Sequence, residues 1–319
     1  MNFQQGIKQI NRIRHRAILG YGLACVGITV CGLLVIFLQS MKFLLLGFAL
    51  LILGLYIARG TINEYKAIYK ELIIKKPLAE NFDNLNYDWL KGFSVKTVEN
   101  FQICKMGIGF YSEDLVQASY LGIPFEMSEI EITYNSSGSD DHEEHFHGRM
   151  LVFDLPNKNL NSVQVFSKKF KYKADLTDVI DVSTIEMESV EFNQNFLVRA
   201  LNPQDAFYLL TPQLMERIMS YNQKFKNIAL HACGNKIVFA LEDFSDDSFD
   251  ADSPFKKIYY QEEIAKINKE IDDIKAIISI IYNSNPQSAE NNEAKSLQPG
   301  GFMIEYTDSK FKFVDNSAL

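Results

Sequence analysis

An apolar run over residues 17–58 carries one charge, Lys42, and constrains the fold more than any other feature. A helix rises about 1.5 Å per residue, so the run would extend roughly 63 Å, about twice the ~30 Å hydrocarbon core of a bilayer. One straight span is too long, and backbone groups in lipid must be hydrogen-bonded internally. The run therefore predicts two transmembrane helices, residues 17–38 and 43–58, which form a hairpin.

Charge is divided unevenly between the two parts of the chain. Residues 1–76 contain 10 Lys and Arg against 2 Asp and Glu, whereas the remaining 243 residues contain 22 against 38. Basic residues flank both outer ends of the predicted hairpin, and such residues favour the cytoplasmic side of a membrane. We therefore expect a multi-pass protein with both termini in the cytoplasm. The acidic larger part excludes a nucleic-acid binder with a basic core.

Small residues recur in the first predicted span. Gly20 and Ala24 are four residues apart, as are Gly27 and Cys31. This spacing allows helices to approach closely in a membrane. We expect it to serve packing within the hairpin, and packing between copies of the chain is the alternative.

A basic helical stalk is predicted after the second span. Tyr65, Tyr69 and Leu72 follow helical spacing within residues 60–76. Pro77 is expected to end this helix. Residues 1–59 would then form the basic N-terminus and hairpin, and residues 60–76 a stiff connection to the next domain.

The following residues, 77–284, predict a cytoplasmic α+β domain. Branched and aromatic residues alternate in short segments, which predicts strands at 114–120, 124–134, 145–155, 162–166, 196–200, 228–233 and 236–241. Asn202 and Thr211 each precede a proline, which is typical of helix N-caps. The expected architecture is a mixed, mostly antiparallel sheet with packed helices. Residues 285–319 are polar and are interpreted as a linker and C-terminal tail.

An isoleucine-rich helix is predicted at residues 260–282. Its isoleucines recur at steps of three and four over fewer than three heptads. An independent coiled coil needs three to four heptads, so this helix is expected to cover the sheet. Pairing with a second copy of the chain is the alternative.

Three of the five histidines lie in one acidic segment, at His142, His145 and His147. On a strand, His145 and His147 would project to one face and could supply two imidazoles to zinc. A zinc site needs a third protein ligand, and the segment does not match the helical H-E-x-x-H pattern. The three histidines are therefore weak metal candidates, and a solvated acidic loop that enters a strand is the simpler interpretation. No catalytic or cofactor-binding residue is assigned.

A second histidine pattern, His231 and Cys233, lies two residues apart on a predicted strand. Two ligands are too few for a metal site, and a nucleophilic cysteine needs a base that a third group positions. Ordinary strand packing is the expected role of both residues.

A series of short motifs follows the predicted hairpin in order. It reads SEDL at 112–115, GIPFEMSE at 122–129, HGRMLVFD at 147–154, VEFNQNF at 190–196 and DAFYLLTP at 205–212. Over residues 10–282 this series resembles the bacterial family catalogued as domain of unknown function 3137. The resemblance implies a two-span protein of the bacterial cytoplasmic (inner) membrane with a cytoplasmic α+β domain. It implies no activity and no site residues.

Three hypotheses about function follow. The first is a membrane-anchored interaction or scaffold module of an envelope-associated assembly. Its partners would be the lipid bilayer and a protein, and the family resemblance suggests a LemA-type membrane protein. The second is a membrane-tethered enzyme that uses a metal at residues 142–147. The third is a structural subunit that forms a homo-oligomer through the hairpin and residues 260–282.

Overall fold

The computed structural model describes residues 3–38, 42–134, 144–154, 159–174, 183–243, 249–251, 253–256 and 258–283. The chain divides into two compact units. The helical unit comprises Met1–Asn81 and Ser248–Asp272, and the sheet unit comprises Phe82–Asp247 and Asp273–Leu319.

Two long helices, α1 (Phe3–Leu38) and α2 (Lys42–Tyr69), dominate the helical unit. They pack in antiparallel directions through small residues, so that Gly20 faces Ala58 while Cys31 faces Gly47. A Cβ atom added to Gly54 would lie only 2.8 Å from Cβ of Ala24. Both predicted small-residue pairs of the first span therefore face α2, as expected for packing within the chain.

The helix after α2 continues past the predicted end at Pro77. A π-helix, Lys70–Lys75, leads into α3, Lys76–Asn81, which contains this proline. Proline lacks an N–H group, and its ring crowds the carbonyl one turn earlier in an α-helix. Because the wider π turn changes which carbonyl lies beneath the ring, the helix accommodates Pro77. The prediction that Pro77 ends the helix was wrong.

Residues near position 250 return to the helical unit and pack against the end of α2. The buried ammonium of Lys70 lies 3.2 Å from the carboxylate of Asp250. At the preceding residue, the Tyr69 hydroxyl donates a hydrogen bond to Glu263, 2.8 Å away. Glu263 belongs to α8 (Tyr260–Asn283), whose residues are divided between the two units after Asp272.

The sheet unit contains nine strands among its described residues. They are β1 (Asp83–Asp88), β2 (Gly109–Tyr120), β3 (Ile123–Tyr134), β4 (Glu144–Asp154), β5 (Leu160–Ser167), β6 (Ser183–Ile185), β7 (Phe196–Ala200), β8 (Asn227–Gly234) and β9 (Lys236–Glu242). Their order in the sheet is β1-β2-β3-β4-β9-β8-β5-β7-β6.

Every pairing between these described strands is antiparallel. The α+β class is confirmed, while the expected mixed sheet is antiparallel throughout its described part. Gly234 has φ +61°. It lies in the two-residue hairpin turn between β8 and β9, which the pairing of Cys233 with Lys236 closes. A positive φ suits glycine, and two-residue hairpin turns favour it for this reason.

Short helices of the sheet unit begin where side chains cap them. These helices are α4 (Val95–Asn100), α5 (Val190–Asn195), α6 (Pro203–Leu209) and α7 (Pro212–Lys224). Asn202 accepts a hydrogen bond from the Gln204 amide, and Thr211 accepts one from the Leu214 amide. Both N-caps predicted from the Asn-Pro and Thr-Pro pairs are confirmed, since each side chain satisfies a first-turn N–H group.

One hydrophobic core of the sheet unit gathers aromatic residues from the strands and from the segments that cover them. Phe146 on β4 and Phe166 on β5 both contact the ring of Phe170, and Phe101 at the end of α4 joins the same cluster. The second half of α8 packs elsewhere in this unit, since the Tyr221 hydroxyl of α7 donates to the Asp273 carbonyl. Ile274 and Ile278 on this half are buried.

Candidate functional site

Large apolar side chains cover the outward surface of α1 and α2. On α1, Leu19 is 70% exposed and Phe37 is 80% exposed, and on α2 Tyr56 is 79% exposed. Contiguous exposed apolar surface is unfavourable in water and marks contact with a partner or a membrane. The small residues between the two helices, by contrast, are buried. The helix pair therefore has a packed inner side and an apolar outer side.

One helix among the described residues is long and apolar enough to cross a membrane, at Gln5–Phe37. Of its most apolar stretch, 22% is buried inside the protein. Length and composition of this helix are compatible with a membrane anchor. The predicted second span, 43–58, lies within α2, which does not meet the same criterion over its described residues.

A cluster of charged side chains lies on one face of β3 and β4. We call it the charged cluster and define it as Glu129 and Glu131 on β3, His147 and Arg149 on β4, and Asp243, which follows β9. Antiparallel pairing places Glu129 opposite Arg149 and Glu131 opposite His147. Residues directly opposite each other share a face of the sheet, as do residues two apart on one strand. Strand register therefore brings together four residues that are up to 20 positions apart in the chain.

The charged cluster is held by close polar contacts. Nε2 of His147 lies 3.4 Å from Oε1 of Glu129. A guanidinium N–H of Arg149 donates to the Asp243 carboxylate at 3.2 Å, and the Asp243 amide donates to the His147 carbonyl at 3.0 Å. Glu129 and Arg149 are each less than a tenth exposed, whereas the His147 side chain is 27% exposed. Buried charges of opposite sign thus lie beneath an imidazole that solvent reaches.

The chemistry available to this cluster is that of an imidazole beside a carboxylate. The two groups can exchange a proton, and both are metal ligands. His147 belongs to no group of three His, Cys, Asp or Glu ligand atoms within 4.8 Å of one another among the described side chains. A zinc site needs at least three protein ligands. The described part of the cluster therefore offers a pair of ligands and no more.

The three histidines of the predicted metal segment have different positions. His147 lies in the charged cluster, and the backbone of His145 lies in β4 opposite Thr133. The side chain of His145 and all of His142 lie outside the described residues. The metal hypothesis therefore stays a prediction.

His231 and Cys233 do not act as a pair. His231 is buried, while Cys233 is exposed at the end of β8. Nδ1 of His231 lies 2.8 Å from the Phe101 carbonyl, which only accepts hydrogen bonds, so Nδ1 carries the proton. The Ser162 hydroxyl then donates to Nε2 at 2.6 Å. Burial lowers the pKa of His231 from 6.5 to about 4, so the imidazole is neutral at pH 7.

The contact of Ser162 with His231 resembles the nucleophile and base of a hydrolase, but its setting is structural. In such enzymes a third group orients the base and the hydroxyl meets substrate. A backbone carbonyl holds this imidazole, and both side chains are almost completely buried. The contact satisfies two buried polar groups, in agreement with the expectation of ordinary strand packing.

Sequence reasoning did not single out Arg149, Asp243 or Ser162. Arg149 follows His147 by two residues on β4, so the alternation of the strand could have placed it on the same face. Asp243 directly follows β9, which pairs with β4 across some 90 residues of chain. Ser162 likewise meets His231 only because β5 pairs with β8. No local sequence pattern predicts the contact of Asp243 with Arg149 or that of Ser162 with His231.

Comparison with solved structures finds a weak likeness. The crystal structure of the mycobacterial trehalose monomycolate transport factor A, TtfA, aligns with a TM-score of 0.33 and 10% sequence identity. The alignment covers 64% of this chain and 92% of that protein. None of the curated proteins matches the sequence.

One family model matches the chain, over residues 141–283. The matched segment begins just before β4 and ends with α8, so it includes His147, Arg149 and Asp243. The matching family is the one that the motif series resembles, and the resemblance is thereby confirmed. Residues 141–283 of this chain match the model of the family described as protein of unknown function, DUF3137.

Proposed function

We propose that this protein is an interaction module anchored in the bacterial inner membrane by α1 and α2. The observation that carries the proposal is the apolar outer side of the two helices, which is unfavourable in water and which acyl chains would cover. Small residues on the inner side allow the close backbone approach typical of helix pairs in lipid. The proposed anchor crosses the membrane twice, and both termini are cytoplasmic.

Exposed basic residues support this orientation. Lys8, Arg12 and Arg16 are exposed on α1 before the apolar run 17–58, and Arg59 is exposed on α2 after it. Because α1 and α2 are antiparallel, all four cations lie at the same end of the pair. Positive residues favour the cytoplasmic side and attract anionic head groups.

The sheet unit is proposed to bind a protein partner through its edge strand β1. Among the described strands, β1 pairs with β2 and is the first strand in the sheet order. An edge strand presents main-chain hydrogen-bonding groups that an extended segment of another protein can use. The partner that the family resemblance suggests is a LemA-type membrane protein.

Two experiments test this function. A reporter that is active only outside the cytoplasm, fused to the C-terminus, should be inactive, and an active fusion would refute the topology. A photo-crosslinking residue at Asn86 of β1 should trap a membrane-protein partner in cells. The matched control site is Gln213, which is exposed on α7. Equal products at both sites, or none at Asn86, would refute docking at β1.

The enzyme hypothesis retains one supporting observation, the approach of His147 to Glu129 at 3.4 Å. An imidazole and a carboxylate are two of the ligand types that zinc uses. A membrane-tethered metalloenzyme built on this pair is therefore the second candidate function, and the zinc affinity of His147 and Glu129 variants tests it.

A further inference from the structure

A short turn at residues 253–256 contacts α1 and carries an exposed aromatic side chain. We call it the aromatic turn. The Lys256 amide donates to the Ser253 carbonyl at 2.9 Å, which closes a four-residue turn. Pro254 occupies the second position, where its fixed φ favours such turns. Pro254 is buried, and Phe255 at the third position is 55% exposed.

Arg14 of α1 holds the aromatic turn by its backbone. Its Nε–H donates to the Pro254 carbonyl at 2.9 Å, and an Nη2–H donates to the Lys256 carbonyl at 2.7 Å. The planar guanidinium has several donors in fixed directions, so one side chain can bind both carbonyls at once. Because both acceptors are main-chain atoms, these two hydrogen bonds do not depend on the side chains that the turn displays.

The position of Phe255 along α1 is given by Tyr21. Their ring centroids are 5.1 Å apart, with an interplanar angle of 57°. Tyr21 lies five residues beyond Arg16, the last charge before the apolar run. At about 1.5 Å per residue, this places the aromatic ring of Phe255 roughly 7 Å beyond Arg16 along the axis of α1. Aromatic side chains concentrate at this depth of a membrane, between head groups and acyl chains.

Cations lie close to the aromatic turn. Lys256 is exposed beside Phe255, and Arg14 of α1 binds the turn. Arg16 on α1 and Arg59, which follows Ala58 of α2 opposite Gly20, are exposed at the same end of the helix pair. An exposed aromatic side chain beside a lysine, at the basic end of a helix pair, is the pattern of a segment that binds an anionic lipid surface.

We propose that the aromatic turn is a membrane-surface contact, in which Phe255 enters the lipid interface beside Tyr21 and Lys256 meets anionic head groups. This inference rests on the proposed membrane span of α1. The aromatic turn contacts the phospholipid interface of the bilayer that holds α1, because the turn continues the apolar surface of that helix. It assigns a role to residues 253–256, which lie 195 or more positions after the apolar run 17–58 ends.

Tryptophan fluorescence tests this contact in the full-length chain. The chain has one tryptophan, Trp89, so replacing it by phenylalanine gives a background without native signal. Three variants in this background, Phe255→Trp, Val26→Trp and Phe207→Trp, are reconstituted in vesicles of equimolar phosphatidylcholine and phosphatidylglycerol. The lipids carry bromine either near the head group or deep in the acyl chain. Phe207 is 49% exposed on α6 and serves as the control outside the membrane.

We expect shallow bromine to quench the fluorescence of Phe255→Trp roughly twofold more than that of Phe207→Trp, because the indole would lie at the interface. Val26→Trp should be quenched by deep bromine, which reports the span itself. If Val26→Trp is quenched and Phe255→Trp behaves like Phe207→Trp, the aromatic turn proposal is refuted while the anchor stands. If Val26→Trp is not quenched either, the proposed anchor is refuted and the turn proposal with it.

A second reporter keeps the test decisive if Phe255→Trp does not fold. Lys256→Trp lies in the same turn, and the backbone carbonyl of residue 256 still accepts from Arg14. Shallow quenching of this variant supports the contact, and quenching equal to that of Phe207→Trp refutes it.

Discussion

The Ser162 hydroxyl donates a hydrogen bond to Nε2 of His231, 2.6 Å away, and this contact fixes the neutral form of a buried imidazole. The opposite nitrogen donates to the Phe101 carbonyl, so both ring nitrogens are satisfied without a positive charge. Protonation would turn Nε2 into a donor that faces a hydroxyl already oriented towards it. Local geometry and burial therefore act in the same direction on the titration of this residue.

Acidification should destabilise the sheet unit through His231. The pKa is lowered from 6.5 to about 4 in the folded protein, so the unfolded chain binds the proton more tightly. The contribution to stability is full above pH 6.5 and is lost as the pH falls towards 4. A complete loss corresponds to ~3 kcal/mol. Urea unfolding in mild detergent at pH 7 and pH 5 measures this loss.

The matched control for that experiment is His231→Asn, whose amide can still donate to the Phe101 carbonyl but does not titrate. We expect the variant to be less stable at pH 7 by about 1–3 kcal/mol, because Ser162 loses its acceptor. Its stability should fall less than that of the wild type between pH 7 and pH 5. An equal fall in both proteins would assign the pH dependence to other groups.

The packing of α1 on α2 should be sensitive to Gly54. A Cβ at this position would lie 2.8 Å from Cβ of Ala24 and 2.9 Å from the Gly20 carbonyl oxygen. Because the second contact is with backbone, Gly54→Ala must push the helices apart. We expect a lower thermal unfolding temperature in mild detergent.

Gly22 is the control for Gly54, since nothing lies within 4 Å of a Cβ added there. Alanine is a better helix former than glycine by about 1 kcal/mol, so Gly22→Ala should be neutral or stabilising. Equal destabilisation by both substitutions would contradict the close approach of the two helices at Gly54.

Arg149 should be the most sensitive charge of the charged cluster. Its side chain is 6% exposed and donates to Asp243. Arg149→Met would leave buried carboxylates beside an apolar chain, and breaking a buried pair typically costs about 3–5 kcal/mol. Since Asp243 is 21% exposed, we expect about 2–3 kcal/mol in chemical denaturation.

The comparison for Arg149 is the exposed pair of Lys91 with Asp88, whose nitrogen and oxygen are 3.0 Å apart. The Lys91 side chain is 73% exposed, so solvent screens the pair. Lys91→Met should change the free energy of unfolding by less than about 1 kcal/mol. A cost for Arg149→Met no larger than this would show that burial does not amplify the interaction.

Zinc binding distinguishes the metalloenzyme hypothesis from that of an interaction module. If the metalloenzyme hypothesis is correct, the purified chain should bind zinc, and either His147→Ala or Glu129→Gln should weaken binding about 10-fold or more, since each removes a ligand. Isothermal titration with zinc measures the affinity. His15→Ala is the control, because this histidine lies on α1 in the helical unit. Binding that is absent, or unchanged in all variants, dismisses the metal hypothesis.

Local chemistry predicted many elements of the sheet unit. The strand predicted at residues 196–200 is β7, and those predicted around Ile130 and Val165 are β3 and β5. Asn202 and Thr211 were identifiable as caps because a proline follows each one. These signals succeed because alternation, capping and turn formation depend on residues that are close in sequence.

Elements that depend on distant contacts were missed. The edge strands β1 and β6 have few apolar residues, and β1 forms because its residues pair with β2. Glu129 of the charged cluster is buried although it lies in a strand with polar neighbours, and its burial depends on the pairing of β3 with β4. The contact of the turn at residues 253–256 with α1 has no local sequence signal, because its partner Arg14 lies 240 positions away. Tertiary pairing, rather than propensity, determines these features.

The strand order has a consequence for the sequence of events during synthesis. Strands β1 to β4 follow one another both along the chain and in the sheet, so this meander can form as soon as residue 154 has left the ribosome. The neighbour of β4 is β9, which ends at Glu242, and β5 pairs with β7 and β8. Until β9 emerges, the open edge of β4 offers its hydrogen-bonding groups to any other chain nearby. A chaperone that shields nascent chains would therefore be needed most between the synthesis of β4 and that of β9.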